Sequence, residues 1–292
     1  MEPLTREKFN QSIIQRVKSL VDEYELFEDG EKIAIALSGG KDSILTLHLL
    51  NEFEYEFNLE LVAISVDEGI EGYRKDGIEI ARENTHKLGI ELVERSFIDE
   101  FGVNLDMVVD EYKSACIPCG VFRRYLLNKT AYELGADKVA TGHNLDDEIQ
   151  SFLMSFARAD LRRFSKFGPK LEQIHPRLIP RIKPLWKIPE KDVGIWAVLN
   201  EIPVHFAECP YAHHSLRAKI KNYLNQLEED HSGSKMAILE SFQKTFKNQE
   251  IPVKLMECER CGEPSSLRVC KACQILENIG INRFFMGNNM VI

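Results

Sequence analysis

The chain has 292 residues, 44% of them hydrophobic and 28% charged, with a formal net charge of −9. That length exceeds one average domain, and the acidity excludes indiscriminate nucleic-acid binding by the whole surface, because such binding rests on phosphate neutralisation. No stretch has the apolar length of a membrane span and the opening MEPLTREKFNQ lacks a signal-like apolar segment, so no membrane partner and a cytoplasmic location are expected.

In chain order, Phe9, Ile13, Ile14, Val17, Leu20 and Val21 recur at a helical period, predicting a helix over 6–26. KIAIAL (32–37) is a short apolar run that ends in SGGKDS (38–43) and leads into Ile44, Leu45, Leu47, Leu49 and Leu50, so strand, glycine loop and helix are predicted. The pattern repeats with a strand over 61–66, a helix over 77–88, the strand-like IELVERSF, a helix over 121–134 and a strand over 138–142. Strands alternating with helices predict an α/β fold: a parallel sheet with helices on both faces and ligands at the carboxyl ends of the strands. From 155 to 189 the chain becomes basic and carries Pro169, Pro176, Pro180 and Pro184, which predicts an exposed loop region. A helix-strand unit before Cys209, a helix over 215–227 and a separate small cysteine module complete the outline.

Glycines at a strand-to-helix junction bare backbone N–H groups, and the helix N-terminus adds positive charge, so SGGKDS is a phosphate cradle. Lys41 supplies a full charge, and Ser38 and Ser43 supply hydroxyls. Asp42 suits either Mg²⁺ or helix capping. The Walker pattern is absent. In GHNLDDE (142–148), His143, Asn144, Asp146 and Asp147 follow a strand, where they either cap a helix or meet a ligand, and Gly142 permits close backbone approach. From 158 to 187 nine Lys/Arg stand against two acidic residues, a net +7, which reads from charge alone as a solvated loop.

The seven cysteines divide into a three and a four. Cys258, Cys261, Cys270 and Cys273 form two C-x-x-C pairs eight residues apart, a pattern for a closed structural Zn²⁺ site, with a second cluster as competitor. Cys116, Cys119 and Cys209 leave three options by spacing: zinc, a persulfide-carrying redox pair with a resolving thiol, or an iron–sulfur site.

SGGKDS after an apolar strand, with a second strand ending in SVDEG, resembles the pyrophosphatase loop of the PP-loop ATPases, which split ATP into AMP and pyrophosphate. SVDEGIEGYR, CIPCGVFRRYLLN, ATGHNLDDE, RIKPL, ECPYA and the terminal cysteines resemble, in order and spacing, the tRNA 2-thiolation enzymes of that superfamily. The resemblance implies a PP-loop domain over 29–212 after an N-terminal helical extension (1–28), then a helical tRNA-contacting segment (213–250) and a zinc-binding module (251–292). It implies ATP contacts at Ala36, Ser38, Gly39, Gly40, Lys41, Asp42, Ser43, Ile64, Arg123, Gly142 and Asp147, with Mg²⁺. Asp42, Asp147, Cys116, Cys119 and Cys209 are the implied catalytic residues. The last three are implied to hold a 4Fe-4S cluster whose open iron binds the sulfur that enters the activated base. The implied partners are tRNA, sulfide or a sulfur-carrier protein, and a second copy in a homodimer. With tRNA as substrate the +7 segment becomes a phosphate-binding surface, extended by His213, His214, Arg217 and Lys219, with Phe164, Phe167 and Trp186 available to pack or stack. Arg260, Arg268 and Lys271 give the cysteine module its own phosphate-facing charges. Members of the family commonly begin with another cysteine module, whereas this sequence has no cysteine before Cys116, which leaves the target nucleotide open. Rival readings are cytidine 2-thiolation, a PP-loop amidotransferase-like ligase, and an RNA-binding protein that only senses ATP.

Overall fold

The computed structural model describes residues 5–160, 167–212, 216–246 and 255–281. Helix α1 (Arg6–Tyr24) begins at the Thr5 N-cap and buries Phe9, Ile13, Val17, Leu20 and Val21 on one stripe. Strand β1 (Lys32–Ala36), helix α2 (Lys41–Phe57), strand β2 (Glu60–Asp67), helix α3 (Arg74–Leu88) and strand β3 (Glu91–Ser96) follow. After the short α4 (Phe97–Phe101) come α5 (Cys116–Glu133), β4 (Lys138–Thr141), α6 (Leu145–Ala157) and the two-residue β5 (Arg181–Ile182). All five strands are parallel, in the order β3-β2-β1-β4-β5. The chain therefore reverses its direction of winding between β1 and β4, the position at which such sheets open a crevice.

Alternation along the strands feeds two cores. Ile33, Ile35, Ala63 and Ala140 point to the face covered by α1, α2, α3, α6, α7 (Glu190–Leu199), α8 (Leu216–Asp230) and α9 (Ser234–Phe246). Ala34, Val62, Ile64 and Val139 point to the opposite face, which α4 and α5 cover through Phe97, Phe101, Phe122 and Leu126. The four-cysteine segment joins this second core. Its hairpin, β6 (Met256–Glu257) and β7 (Pro264–Ser265), and its helix α10 (Lys271–Asn278) place Cys258, Cys270, Cys273, Ile275 and Leu276 in the same apolar cluster.

Three local expectations change. Helix α5 starts at Cys116 and not at 121, because Pro118 falls in the first turn, where a missing N–H costs no helical hydrogen bond. The predicted exposed loop over 155–189 is corrected in its last third: β5 extends the sheet and Ile179, Ile182, Leu185, Trp186 and Ile188 are buried, whereas 156–159, 172–174 and Pro176 are exposed. The strand expected before Cys209 is a single parallel bridge, His205 to Gly40. Among the described residues no helix is long and apolar enough to cross a membrane.

Candidate nucleotide and cysteine site

The SGGKDS loop joins β1 to α2 at the switch point, and it is held from three sides. Gly39 has φ +84°, and a Cβ there would lie 2.0 Å from the Gly77 carbonyl oxygen of α3. A Cβ at Gly142 would lie 2.8 Å from Ser43 N, so the close approach at Gly142 is made by the loop's own backbone. His205 closes the third side, its N–H donating to the Gly39 carbonyl at 2.8 Å. Gly39→Ala is expected to combine left-handed strain with overpacking and to cost about 1–3 kcal/mol or more. Gly135→Ala, with φ +65° but nothing within 4 Å, should cost only about 1–2 kcal/mol. Thermal melts of the two variants check this contrast.

Within the loop Ser43 Oγ accepts from Ser38 N at 3.1 Å and lies 3.1 Å from Ser38 Oγ, so the two hydroxyls brace the turn. Lys41 reaches Asp42 at 3.1 Å and Glu190 at 2.9 Å, and these carboxylates together outweigh burial and raise its pKa. Glu190, at the start of α7, also binds Lys221 of α8 at 2.8 Å. No local pattern marks Glu190 in the sequence. Ala36 and Ile64 are paired neighbours at the ends of β1 and β2, and the Ile64 carbonyl already accepts from Leu37 N at 2.9 Å.

The GHNLDDE residues separate by role. Asn144 and Asp147 form a capping box on α6, and Asn144 Nδ2 donates to Asp42 Oδ1 at 2.7 Å, tying the two loops together. Asp146 turns inward to Lys235 and accepts from Glu190 N at 2.8 Å, so it supports α7 and α9 and does not face the crevice. Asp147 Oδ1 meets Arg217 at 3.2 Å. Burial first, with Asp42 and Glu190 adding to it against Arg217, pushes the Asp147 carboxyl up to about 6. His143 bonds Thr141 Oγ1 at 2.8 Å. Crowding by the surrounding protein, then Lys183, Arg123, Arg181 and Arg217, lower its imidazole pKa, so it is neutral at physiological pH although the residue remains open to solvent.

Cys116 and Cys119 sit on the first turn of α5, and Cys209 approaches from the loop after His205. The three are close enough for their thiolate charges to oppose one another. Burial raises Cys119 to about 11, with Arg123 as the opposing cation. Cys119 and Cys209 are thus desolvated thiols of the kind that ionise when a metal displaces their protons, whereas Cys116 is exposed at the helix start.

The four-cysteine group is geometrically tighter, with all four sulfurs within 4.8 Å of one another. Cys258 to Cys273 is 3.9 Å and Cys261 to Cys270 is 3.6 Å. Four ligands at about 2.3 Å from one Zn²⁺ would stand about 3.8 Å apart, so the donor set fits a single tetrahedral ion.

Four of the six Lys/Arg of the +7 segment that lie among the described residues have partners within the fold. Lys183 is buried against Glu148 at 2.8 Å, Arg177 binds Glu263 at 2.8 Å and Gly262 O at 2.9 Å, and Lys187 pairs with Glu23 at 2.6 Å. Lys170 donates to Glu25 O. Trp186 is 1% exposed and donates to Glu148 at 3.2 Å, so it cannot stack on a base. Arg181 differs: beside His143, it has no carboxylate partner among the described residues, and burial with Arg124 lowers its pKa to about 10. Arg162, Arg163, Phe164, Lys166, His213 and His214 lie outside the described residues. Arg260 and Arg268 are paired with Glu277 and Glu259 at 2.7 and 2.5 Å.

Residues 9–228 match the family model described as the PP-loop domain. A tRNA 2-thiolation protein of Haloferax volcanii is 38% identical over 94% of this chain and 93% of its own. The chain belongs to the tRNA 2-thiolation family of PP-loop sulfurtransferases. The cytoplasmic tRNA 2-thiolation protein 1 of Caenorhabditis elegans, another relative, is 32% identical over 96% of this chain and 76% of its own. Among solved structures, the U34-tRNA thiolase NcsA from Methanococcus maripaludis with its 4Fe-4S cluster superposes with a TM-score of 0.83 at 37% identity, covering 95% of this chain and 90% of that one. The family resemblance carried by six short segments of sequence thus extends over almost the whole fold.

Proposed function

We propose that this chain uses ATP to adenylate the C2 oxygen of a tRNA uridine and then replaces that oxygen with sulfur. One observation carries the reading: His205 bonds the glycine loop, and Cys209, four residues later, packs against the same apolar cluster as Cys119, which shares the first turn of α5 with Cys116, so the loop that closes the phosphate cradle also carries the third thiol. The uridine oxygen attacks the α-phosphorus and pyrophosphate leaves; a sulfur nucleophile then attacks C2, and AMP departs with the oxygen. The N-terminus of α2 and Lys41 receive the phosphates, and Asp42 is placed to hold Mg²⁺. Arg123 and Arg181 supply positive charge for the triphosphate and for the phosphates flanking the target base. A 4Fe-4S cluster on Cys116, Cys119 and Cys209 would leave one iron without a protein ligand and so supply a coordination place for sulfur. The four-cysteine group is assigned to structural Zn²⁺.

Mass spectrometry of nucleosides from tRNA treated anaerobically with reconstituted protein, Mg-ATP and sulfide tests the reaction. A 2-thiouridine is expected, and its absence rejects the reading. Metal analysis is expected to give three to four irons and one zinc per chain, from the donor counts above. Asp147, with its carboxyl near 6, is ionised at neutral pH and acts as base or metal partner. Pyrophosphate release should therefore fall as pH drops through about 6, and Asp147→Asn should be slow at all pH values and lack that acid limb.

A further inference from the structure

Helix α8 turns two cations, one helical turn apart, towards the glycine loop. Arg217 reaches Asp147 at 3.2 Å, Gln150 at 3.1 Å and Ser151 at 2.9 Å, which anchors the start of α8 on α6. Four residues on, along the same side of the helix, Lys221 lies 2.9 Å from Oε1 and 2.8 Å from Oε2 of Glu190. Oε1 of Glu190 is also the oxygen that Lys41 holds at 2.9 Å. A single carboxylate oxygen therefore stands between the ammonium group of the glycine loop and one brought by α8.

We propose that Lys221 is a second phosphate-binding lysine of the nucleotide site, set beside Lys41 so that the two together contact the β- and γ-phosphates. Its ligand is the pyrophosphate end of a nucleoside triphosphate, and pyrophosphate itself after cleavage. The inference rests on the proposed function, which puts the triphosphate on the glycine loop and Lys41. Two ammonium groups this close repel unless an anion lies between them. Glu190 is one such anion, but it is divided between both lysines, and Asp42, the other carboxylate on Lys41, also accepts from Asn144. The side chains of Lys41, Glu190 and Lys221 are 22%, 24% and 37% exposed, so a further anion can reach both lysines from solvent. Pyrophosphate offers several charged oxygens on one side, more than one lysine can meet, and a second ammonium steadies the charge that collects there as the bond to the α-phosphorus breaks. A mere tether between α8 and α7 would not call for this placement. Arg217, with three partners on α6, and Leu224, buried at 1%, already hold α8, and a part-exposed ion pair adds little to them.

Calorimetry on the anaerobically reconstituted full chain, with a non-hydrolysable Mg-ATP analogue, Mg-pyrophosphate and AMP as ligands, tests the assignment. Lys221→Met should weaken the analogue and pyrophosphate about tenfold or more, the scale of one lost charge-assisted hydrogen bond. AMP, which lacks the two outer phosphates, should bind within about twofold of wild type. Lys221→Arg should restore most of the loss. The same tenfold step is expected between Glu190→Gln and the double variant Glu190→Gln with Lys221→Met, because a direct contact does not pass through the carboxylate. That comparison leaves no unpaired carboxylate at 190 and stands even where the single variant folds poorly. Equal weakening of all three ligands, or no change in any, makes Lys221 a structural tether and overturns the proposal. A loss that vanishes in the Glu190→Gln background also overturns it, since Lys221 would then only neutralise Glu190. Wild-type protein that binds neither the analogue nor pyrophosphate rejects the proposed function itself, whereas sound wild-type binding with either overturning result rejects this inference alone.

Discussion

Cys258→Ser, or removal of the four-cysteine metal by a chelator, is expected to lower the melting temperature by about 10 °C or more and to open α5 to proteolysis. The segment is wired into the fold at several points. Cys258, Cys270 and Cys273 share an apolar cluster with Phe122 and Leu126 of α5 and with Val62 and Ile64 of the sheet. Arg177 donates to Gly262 O and to Glu263, while Asn128 of α5 donates to Arg177 O at 2.9 Å and accepts from Ile179 N at 3.0 Å. The module, the β5 approach and α5 are thereby bound together. Metal binding by four thiolates in small zinc modules is worth about 10–16 kcal/mol in apparent terms. Losing one ligand is expected to forfeit about 3 kcal/mol or more, at about 2–4 °C per kcal/mol for chains of this size. Cys116→Ser should leave the melting temperature within a few degrees, because Cys116 is exposed at the helix start. Proteolytic cleavage mapped within 116–133 in the chelated protein alone would confirm that the module braces the helix carrying two of the three cluster cysteines. An unchanged melt would mean that it merely rests on the surface.

What the sequence revealed of this site follows the range of the interactions that build it. The glycine loop was legible because it depends on near neighbours: a short continuous apolar run, a Gly-Gly pair needing φ above zero at Gly39, and a helical period after it. The capping alternative at Asn144 and Asp147 was legible for the same reason, as donor and acceptor stand three residues apart. The ion-pair chain of Arg74, Glu68 and Arg123 was not. Arg74 lies inside a motif recognised as a string, but its partners are a carbonyl 36 residues earlier and a carboxylate in the preceding turn that also faces α5. The burial of Lys183 within the basic run over 158–187 was missed for a related reason. Charge density favours the surface when each charge is taken alone, and the partner that makes Lys183 buriable, Glu148, lies 35 residues away on α6.

Lys183→Met is therefore expected to unsettle the fold and to leave tRNA affinity near its wild-type value. Lys183 Nζ and Trp186 Nε1 occupy the two oxygens of Glu148 at 2.8 and 3.2 Å, and all three residues are buried. Removing the lysine strands a carboxylate in the interior with one neutral donor, a change that typically costs about 3–5 kcal/mol, or about 10 °C in melting temperature. The double variant Lys183→Met with Glu148→Gln should recover most of this loss, since the amide keeps an acceptor for Trp186 and carries no charge. Arg181→Ala is the converse control: it removes a guanidinium that has no carboxylate partner among the described residues, so the melt should stay within a few degrees. If Arg181 meets RNA phosphate, its loss should weaken tRNA binding and reduce the magnitude of the salt slope by about one. A Lys183→Met protein that melts like wild type while losing affinity and salt dependence would return the segment to the phosphate-binding surface that its charge suggests.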